Sequence, residues 1–141
     1  MTYLLIGCGN LGKIILKGFN SRKKKIIVLE KDTKIVSSVK RIYKNVRFLN
    51  DPEVIDWKRI CYIMLCIKPK DAKNILHEIR KFCDKTHILA SFVAGLKTNT
   101  IKKIVSSKVP VIRIMPNIFI DSNKSSTAFF SNNMSESLKK K

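Results

Sequence analysis

The fold of this chain is decided by one stretch near its amino terminus, Tyr3-Leu4-Leu5-Ile6-Gly7-Cys8-Gly9-Asn10-Leu11-Gly12. Four consecutive apolar residues predict a strand buried on both faces, and the glycine-rich segment predicts a tight turn into a helix. Gly7 permits the turn, Gly9 lets backbone approach a pyrophosphate, and Gly12 lets the helix pack against the strand. This spacing between a strand and a helix is typical of a dinucleotide-binding turn, with the diphosphate at the helix N-terminus.

Short apolar runs continue along the chain and alternate with segments of helical spacing. The later runs are Ile26–Leu29, Val46–Leu49, Tyr62–Ile67, His87–Phe92 and Val109–Ile114. Helices are expected to be capped by Asp32 and Asp71 and to start at Thr98 or Asn99, and Pro52 suits the first turn of a short helix. This order predicts a single α/β domain with a doubly wound, mostly parallel, Rossmann-like sheet.

The composition changes near the carboxyl end. From Asp121 onward Ser, Asn and Lys dominate, apart from an apolar patch at Ala128, Phe129 and Phe130 that suits a last strand. We assign residues 1–130 to a dinucleotide-binding domain and residues 131–141 to a solvated tail or truncated linker.

The end of the second predicted strand bears on the choice of dinucleotide. Glu30 lies 18 residues after Gly12, where a carboxylate accepts hydrogen bonds from ribose hydroxyls and favours NAD. Lys31 and Lys34 follow at once and can attract the 2′-phosphate of NADP. The residues leave the choice between NADP and NAD open.

The charge of the chain raises a second class of partner. Lys and Arg number 29 against ten Asp and Glu, a net charge of +19, which is typical of nucleic-acid-binding proteins. Only six of the 29 are Arg, the residue that reads bases and clamps phosphates best, so a lysine-rich solvated surface is favoured over nucleic-acid binding.

The remaining composition excludes other classes of site. The longest apolar run, Ile60–Ile67, has eight residues, too few to cross a membrane, and the amino terminus lacks the basic leader of a secretory signal. The four cysteines lack zinc-site spacing, so we expect no metal site. Because the amino terminus lacks a secretory leader, we expect reduced thiols in the cytoplasm. Cys8 is either a thiolate stabilised at a helix N-terminus or a small packed side chain. We expect His77 and His87 to be ordinary surface or edge residues and assign no catalytic residue.

Four segments of the sequence form a characteristic set: Ile6-Gly7-Cys8-Gly9-Asn10-Leu11-Gly12-Lys13, Cys66-Ile67-Lys68-Pro69, Ser91-Phe92-Val93-Ala94-Gly95-Leu96 and Arg113-Ile114-Met115-Pro116-Asn117. Together they resemble the pyrroline-5-carboxylate reductase family, the NAD(P)H-dependent enzymes that make proline. The first occurs in many dehydrogenases, whereas the last two in this order are more specific to the family. Together the segments span the chain to about residue 130.

The resemblance implies a set of cofactor-binding residues. Ile6, Gly7, Cys8, Gly9, Asn10, Leu11 and Gly12 would form the pyrophosphate loop, and Glu30, Lys31 and Asn50 would lie at the adenosine ribose. Cys66, Ile67, Lys68, Pro69, Phe92, Val93 and Ala94 would line the path to the nicotinamide, and Asn117 would face the substrate. The implied reaction is hydride transfer from NAD(P)H to a cyclic imine.

The family continues into a helical C-terminal domain that forms its dimer and completes the substrate pocket, and this chain ends at Lys141. We therefore expect an isolated cofactor domain that is weak or inactive alone. Ile118, Phe119, Ile120, Phe129 and Phe130 would then be exposed and promote self-association. The alternatives are a non-catalytic NAD(P)-binding module and, less favoured, a basic nucleic-acid-binding protein.

Overall fold

Seven strands and four helices alternate along the chain in the computed structural model, which describes residues 1–116 and 127–132. The strands are β1 (Thr2–Ile6), β2 (Lys25–Leu29), β3 (Arg47–Leu49), β4 (Ile60–Leu65), β5 (Ile88–Ser91), β6 (Val111–Pro116) and β7 (Thr127–Asn132). The helices are α1 (Asn10–Ser21), α2 (Thr33–Ile42), α3 (Pro69–Ile79) and α4 (Thr98–Ile104). Single 3₁₀ turns cover Pro52–Val54, Trp57–Arg59 and Arg80–Phe82.

The strands form one sheet in the order β3-β2-β1-β4-β5-β6-β7. Neighbouring strands from β1 to β6 are parallel, and β7 is antiparallel to β6. The predicted doubly wound, mostly parallel α/β fold is therefore confirmed. The strand order reverses between β1 and β4, so the segments that leave these two strands run to helices on opposite faces of the sheet. They leave a crevice between them, where this class of sheet binds ligands.

The central strands are apolar at consecutive positions because they are covered on both faces. Leu4 and Ile6 belong to the core layer beneath α3 and α4, whereas Leu5, between them, belongs to the layer beneath α1 and α2. In β4, Ile63 and Leu65 likewise alternate with Met64. Since neighbouring strand residues point to opposite faces, a sheet between two helical layers needs this continuous run.

The observed helix starts agree in part with those predicted from the sequence. Asp32 is the N-cap of α2 and accepts hydrogen bonds from the N–H groups of Lys34 and Ile35, as predicted. Pro52 occupies the first turn of its 3₁₀ helix, also as predicted. The expectation that Asp71 caps the next helix is wrong, because α3 begins at Pro69, whose fixed φ suits the first helical position. Asp71 lies in the first turn instead.

Several expectations for the carboxyl end fall outside the described residues. The predicted last strand is present as β7. Asn117, Ile118, Phe119, Ile120 and most of the predicted tail, residues 133–141, lie outside the described part, and the domain boundaries stay a prediction. Across residues 1–116 and 127–132, no helix has the length and apolar character that a membrane crossing requires.

His87 corrects a second expectation, since it is not a surface residue. Its side chain is only 3% exposed, and its Nε2 lies 3.1 Å from the carbonyl oxygen of Trp57. Nδ1 lies 3.1 Å from the backbone nitrogen of Asp84. The Trp57 ring stacks on Phe82 at 5.0 Å between centroids and donates its N–H to the carbonyl of Pro52. This buried cluster fixes the segment that leads into β4 against the start of β5.

We predict that His87→Leu lowers the free energy of unfolding by about 2–4 kcal/mol, because it leaves two backbone polar groups without their partner. Urea unfolding followed by circular dichroism measures the change. The matched control is His77→Leu on the exposed side of α3, which should change the free energy by less than about 0.5 kcal/mol. Equal losses in the two variants would contradict the structural role of His87.

Candidate dinucleotide-binding site

Two glycines of the first turn allow backbone segments to meet at distances that a side chain would prevent. Gly7 has a φ of +87°, and a Cβ there would lie 2.5 Å from Cγ2 of Ile67 and 2.7 Å from the carbonyl oxygen of Cys66. A Cβ on Gly12 would lie 2.3 Å from the carbonyl oxygen of Gly7. The turn after β1 is thus clamped between the end of β4 and the first turn of α1.

Gly9 differs from these two glycines because a Cβ on it would meet no protein atom within 4 Å. It is the N-cap of α1, it supplies no side-chain cap, and the first turn of this helix carries no acidic residue. The first intrahelical bond runs from the N–H of Lys13 to the carbonyl of Gly9, so the preceding N–H groups of α1 lack helical acceptors. Open space beside these donors fits a pyrophosphate.

The carboxylate of Glu30 connects the glycine turn to the segment after β2. One oxygen accepts the N–H of Cys8 at 2.7 Å, and the other accepts the N–H of Asp32 at 2.9 Å. Both hydrogen bonds have a charged acceptor, which makes them stronger than neutral ones. Glu30 is therefore held in a fixed position beside the turn, with lone pairs left to accept ribose hydroxyls.

A cleft of about 490 Å³ lies at the carboxyl ends of β1, β2 and β4. Eight of the predicted site residues line it: Ile6, Gly7, Gly9, Glu30, Lys31, Cys66, Ile67 and Lys68. The structure thus brings the glycine turn, the end of β2 and the Cys66–Lys68 segment to one surface. Asn10, Leu11 and Gly12 lie in the first turn of α1, and Pro69 is the first residue of α3.

A second hollow of about 590 Å³ adjoins this cleft and contains the predicted site residue Asn50. Lys31 and Glu78 line both hollows. Nζ of Lys31 lies 2.8 Å and 2.9 Å from the two carboxylate oxygens of Glu78, so an ion pair stands at the border. Glu30 and Asn50 consequently lie on opposite sides of the Lys31–Glu78 pair.

The thiols beside the turn are neutral packing groups. Cys8 has no exposed surface, and burial together with the Glu30 carboxylate raises its pKa to about 11. Burial also raises the pKa of Cys66, with a smaller contribution from Cys8. Of the two interpretations of Cys8, the small packed side chain therefore agrees with the structure, because burial and the neighbouring Glu30 carboxylate both disfavour a thiolate.

The predicted residues after β5 lie away from the two hollows described above. The N–H of Phe92 bonds to the carbonyl of Leu65, and its ring packs on the layer beneath α1 and α2. Val93 is buried in the opposite layer, and Ala94 is exposed before Gly95, which has a φ of +73°. These residues form the turn at the same carboxyl edge of the sheet as the cleft. Their role at a nicotinamide stays a prediction.

Five polar residues of the cleft are absent from the predicted site: Asp32, Lys70, Asp71, Asn74 and Glu78. Four of them belong to α3, where Asp71, Asn74 and Glu78 recur at helical spacing beside the apolar face. The spacing of Asp71, Asn74 and Glu78 is the sequence signal that identifies a polar face of α3, because residues three or four apart lie on one side of a helix.

Comparisons with known proteins agree with this geometry. The sequence model of the family described as NADP oxidoreductase, coenzyme F420-dependent, matches residues 2–95. Pyrroline-5-carboxylate reductase 1 of Dictyostelium discoideum is 28% identical over 127 residues, which make up 87% of this chain and 22% of that protein.

Solved structures show the same fold. A pyrroline-5-carboxylate reductase from Coxiella burnetii has a TM-score of 0.87 at 21% identity, over 98% of this chain and 52% of that one. The Plasmodium falciparum pyrroline carboxylate reductase with NADP bound has a TM-score of 0.78 at 19% identity, over 99% of this chain and 52% of that one. This chain therefore spans about half the length of these reductases and about a fifth of the Dictyostelium protein.

These findings confirm the homology to pyrroline-5-carboxylate reductases that the four sequence segments predicted, and they confirm a nicotinamide dinucleotide, NADP or NAD, as the cofactor class. The open space at Gly9 and the first N–H groups of α1 together form a cradle for a pyrophosphate. The cradle lies beside the point where the strand order reverses, which is where such a cofactor binds. Since the family model covers two-thirds of the sequence, the chain belongs to the family of coenzyme F420-dependent NADP oxidoreductases.

Proposed function

We propose that this chain is the NAD(P)H-binding domain of a reductase of the pyrroline-5-carboxylate reductase type, with residues 1–130 as the binding unit. The proposal is supported above all by Gly9, which lines the cleft, has open space at its missing Cβ and is the N-cap of a helix without a side-chain cap. The reaction it would serve is hydride transfer to the carbon of a cyclic imine. With its free cysteines, we further propose a cytoplasmic location.

The residues of the glycine turn would bind the pyrophosphate. Their part is electrostatic, because backbone N–H groups and the positive end of α1 attract phosphate oxygens. Glu30 would accept the ribose hydroxyls from its fixed position, and Asn50 would contact the adenosine from the neighbouring hollow. The reduced nicotinamide, when bound, supplies the hydride.

The segments that follow β4, β5 and β6 would shape the nicotinamide and substrate end of the site. Cys66–Pro69 lie beside the glycine turn, Phe92–Ala94 follow β5, and Asn117 directly follows β6. These segments would orient the imine and exclude water, which accounts for large rate factors in two-reactant steps. His77 lines the adenosine-side hollow and His87 is buried beside Trp57, so neither is proposed as the proton donor.

We predict that Gly9→Ala weakens binding of NADPH and NADH by about tenfold or more, at least ~1.4 kcal/mol, because its methyl group projects into the cradle. Isothermal titration of the full chain measures both affinities. The variant should remain folded, since the added methyl meets no protein atom and the φ of −66° suits alanine.

Gly18→Ala is the matched control, because Gly18 also has open space around its missing Cβ but lies in the interior of α1. It should leave both affinities unchanged and raise the free energy of unfolding by about 0.5–1 kcal/mol. An unchanged affinity in Gly9→Ala would contradict the cradle. Salt-sensitive DNA binding without binding of either dinucleotide would instead favour the basic nucleic-acid-binding alternative.

We predict that the purified chain with NADPH or NADH reduces pyrroline-5-carboxylate slowly or not at all, although it binds the dinucleotide. The reason is that this chain spans about half the length of the reductases it matches, so it supplies only part of what a complete reductase brings to the substrate. Loss of reduced-nicotinamide absorbance measures turnover. The Gly9→Ala variant, in which dinucleotide binding should be weakened, gives the background rate. Addition of a separately produced helical domain from a family member should raise the rate. Unaided turnover at the rate of a complete reductase would contradict this prediction, and dinucleotide binding without turnover in either assay would favour the non-catalytic module.

We also propose that the β6–β7 edge mediates self-association. Met115, 50% exposed, pairs with Ala128, and Phe130, 57% exposed, is two residues further along the same face of β7. We predict that Phe130→Ser reduces concentration-dependent association in sedimentation velocity, because it removes apolar contact area. Val54→Ser, at another exposed apolar residue, should leave the profile unchanged. A monomer at every concentration of the wild-type chain would refute the proposal.

A further inference from the structure

The Lys31–Glu78 ion pair joins two elements that are far apart in the sequence. Lys31 follows β2, and Glu78 is in the next-to-last position of α3, 47 residues later. Nζ of Lys31 lies within hydrogen-bond distance of both carboxylate oxygens of Glu78, at 2.8 Å and 2.9 Å. The ammonium is thus directed toward α3, between the two hollows that both residues line.

The position of Lys31 gives this pair its significance for the cofactor. Glu30, its neighbour, is held beside the glycine turn by the N–H groups of Cys8 and Asp32, in the place where this class of site holds the adenosine ribose. NADP differs from NAD only by a phosphate on that ribose. A cation next to Glu30 is therefore within reach of the 2′-phosphate. Of the two lysines that follow Glu30, Lys31 lines the cleft and Lys34 is not among its lining residues.

The charges around Lys31 oppose such a phosphate. The cleft is lined by the carboxylates of Glu30, Asp32, Asp71 and Glu78 against the ammonium groups of Lys31, Lys68 and Lys70. Four of the ten acidic residues of a strongly basic chain gather here. While Glu78 holds Lys31, a 2′-phosphate meets a carboxylate at Glu30 and a lysine whose charge is already balanced.

We propose that Glu78 is a specificity-determining residue, which sets the preference between NADPH and NADH by competing with the 2′-phosphate for Lys31. This inference rests on the proposed function, since it needs the adenosine ribose at Glu30. Binding of NADPH requires Lys31 to exchange one anionic partner for another, whereas binding of NADH leaves the pair intact. The discrimination is therefore built into an ion pair that contacts neither the pyrophosphate cradle nor the nicotinamide end.

The size of the effect follows from the exposure of the pair. The side chains of Lys31 and Glu78 are 60% and 38% exposed, so water screens their attraction and a single phosphate can displace the carboxylate. Glu78→Gln removes the competitor and one repelling charge. We expect NADPH to bind about three- to tenfold more tightly to this variant, with the affinity for NADH changed by less than about twofold.

The experiment titrates the full chain with NADPH and with NADH and compares the ratio of their dissociation constants. The control is Asp56→Asn, which breaks another exposed ion pair, with Arg59, at the amino-terminal edge of the sheet and changes the net charge equally. A lower NADPH-to-NADH ratio of dissociation constants in Glu78→Gln but not in Asp56→Asn supports the proposal. A ratio that stays at the wild-type value, or that falls equally in both variants, overturns it.

A double-mutant cycle with Lys31→Met tests whether Glu78 acts through Lys31. In the Lys31→Met background, Glu78→Gln should lose most of its effect on the ratio, leaving only the smaller gain from reduced repulsion. The same fold-change in both backgrounds overturns the proposed competition. Binding of both dinucleotides with unaltered ratios refutes this inference alone, whereas failure of the wild-type chain to bind either one refutes the proposed function as well.

Discussion

The structure depends on the close approach of three backbone segments at Gly7 and Gly12. A Cβ on Gly12 would lie 2.3 Å from the carbonyl of Gly7, and one on Gly7 would collide with Ile67 and Cys66. These contacts place the first turn of α1 against the end of β1 and the end of β4 at once. The donors of α1 therefore face the crevice where the strand order reverses. Any side chain at either position would push the helix away from the sheet and close or misdirect the cradle.

Net charge describes the whole chain poorly because the few acidic residues are not spread evenly. A balance of +19 suggests an affinity for polyanions, yet four of ten acidic residues line one cleft and are interleaved there with three lysines. Such a surface is suited to a ligand with both anionic and hydroxyl groups rather than to a continuous phosphate backbone. In the proposed binding mode, helix N–H groups would attract the diphosphate and a carboxylate would bind the ribose, so different elements would meet the two demands.

The sequence predicted those features that depend on local residues and failed where distant segments meet. The seven strands and the glycine turn follow from apolar runs and from spacing within a few residues, and Asp32 caps α2 as its side chain predicts. Asp71 was misjudged because Pro69 competes for the same helix start, and its backbone preference decides the outcome. His87 was misjudged because its partner Trp57 lies 30 residues earlier and comes near only when β4 and β5 pair. The pairing of Lys31 with Glu78 across 47 residues was equally inaccessible to local patterns.

The two parts of the site differ in how readily evolution or design can alter them. The glycine turn is made of backbone groups that approach one another closely at Gly7 and Gly12, so these two positions do not accommodate a side chain. The proposed ribose end is made of exposed charged side chains, such as Lys31 and Glu78, whose pairing is weak in water. If the proposal for Glu78 holds, the choice between NADPH and NADH can change by substitution of exposed side chains, without disturbing the glycine contacts on which the packing of α1 depends.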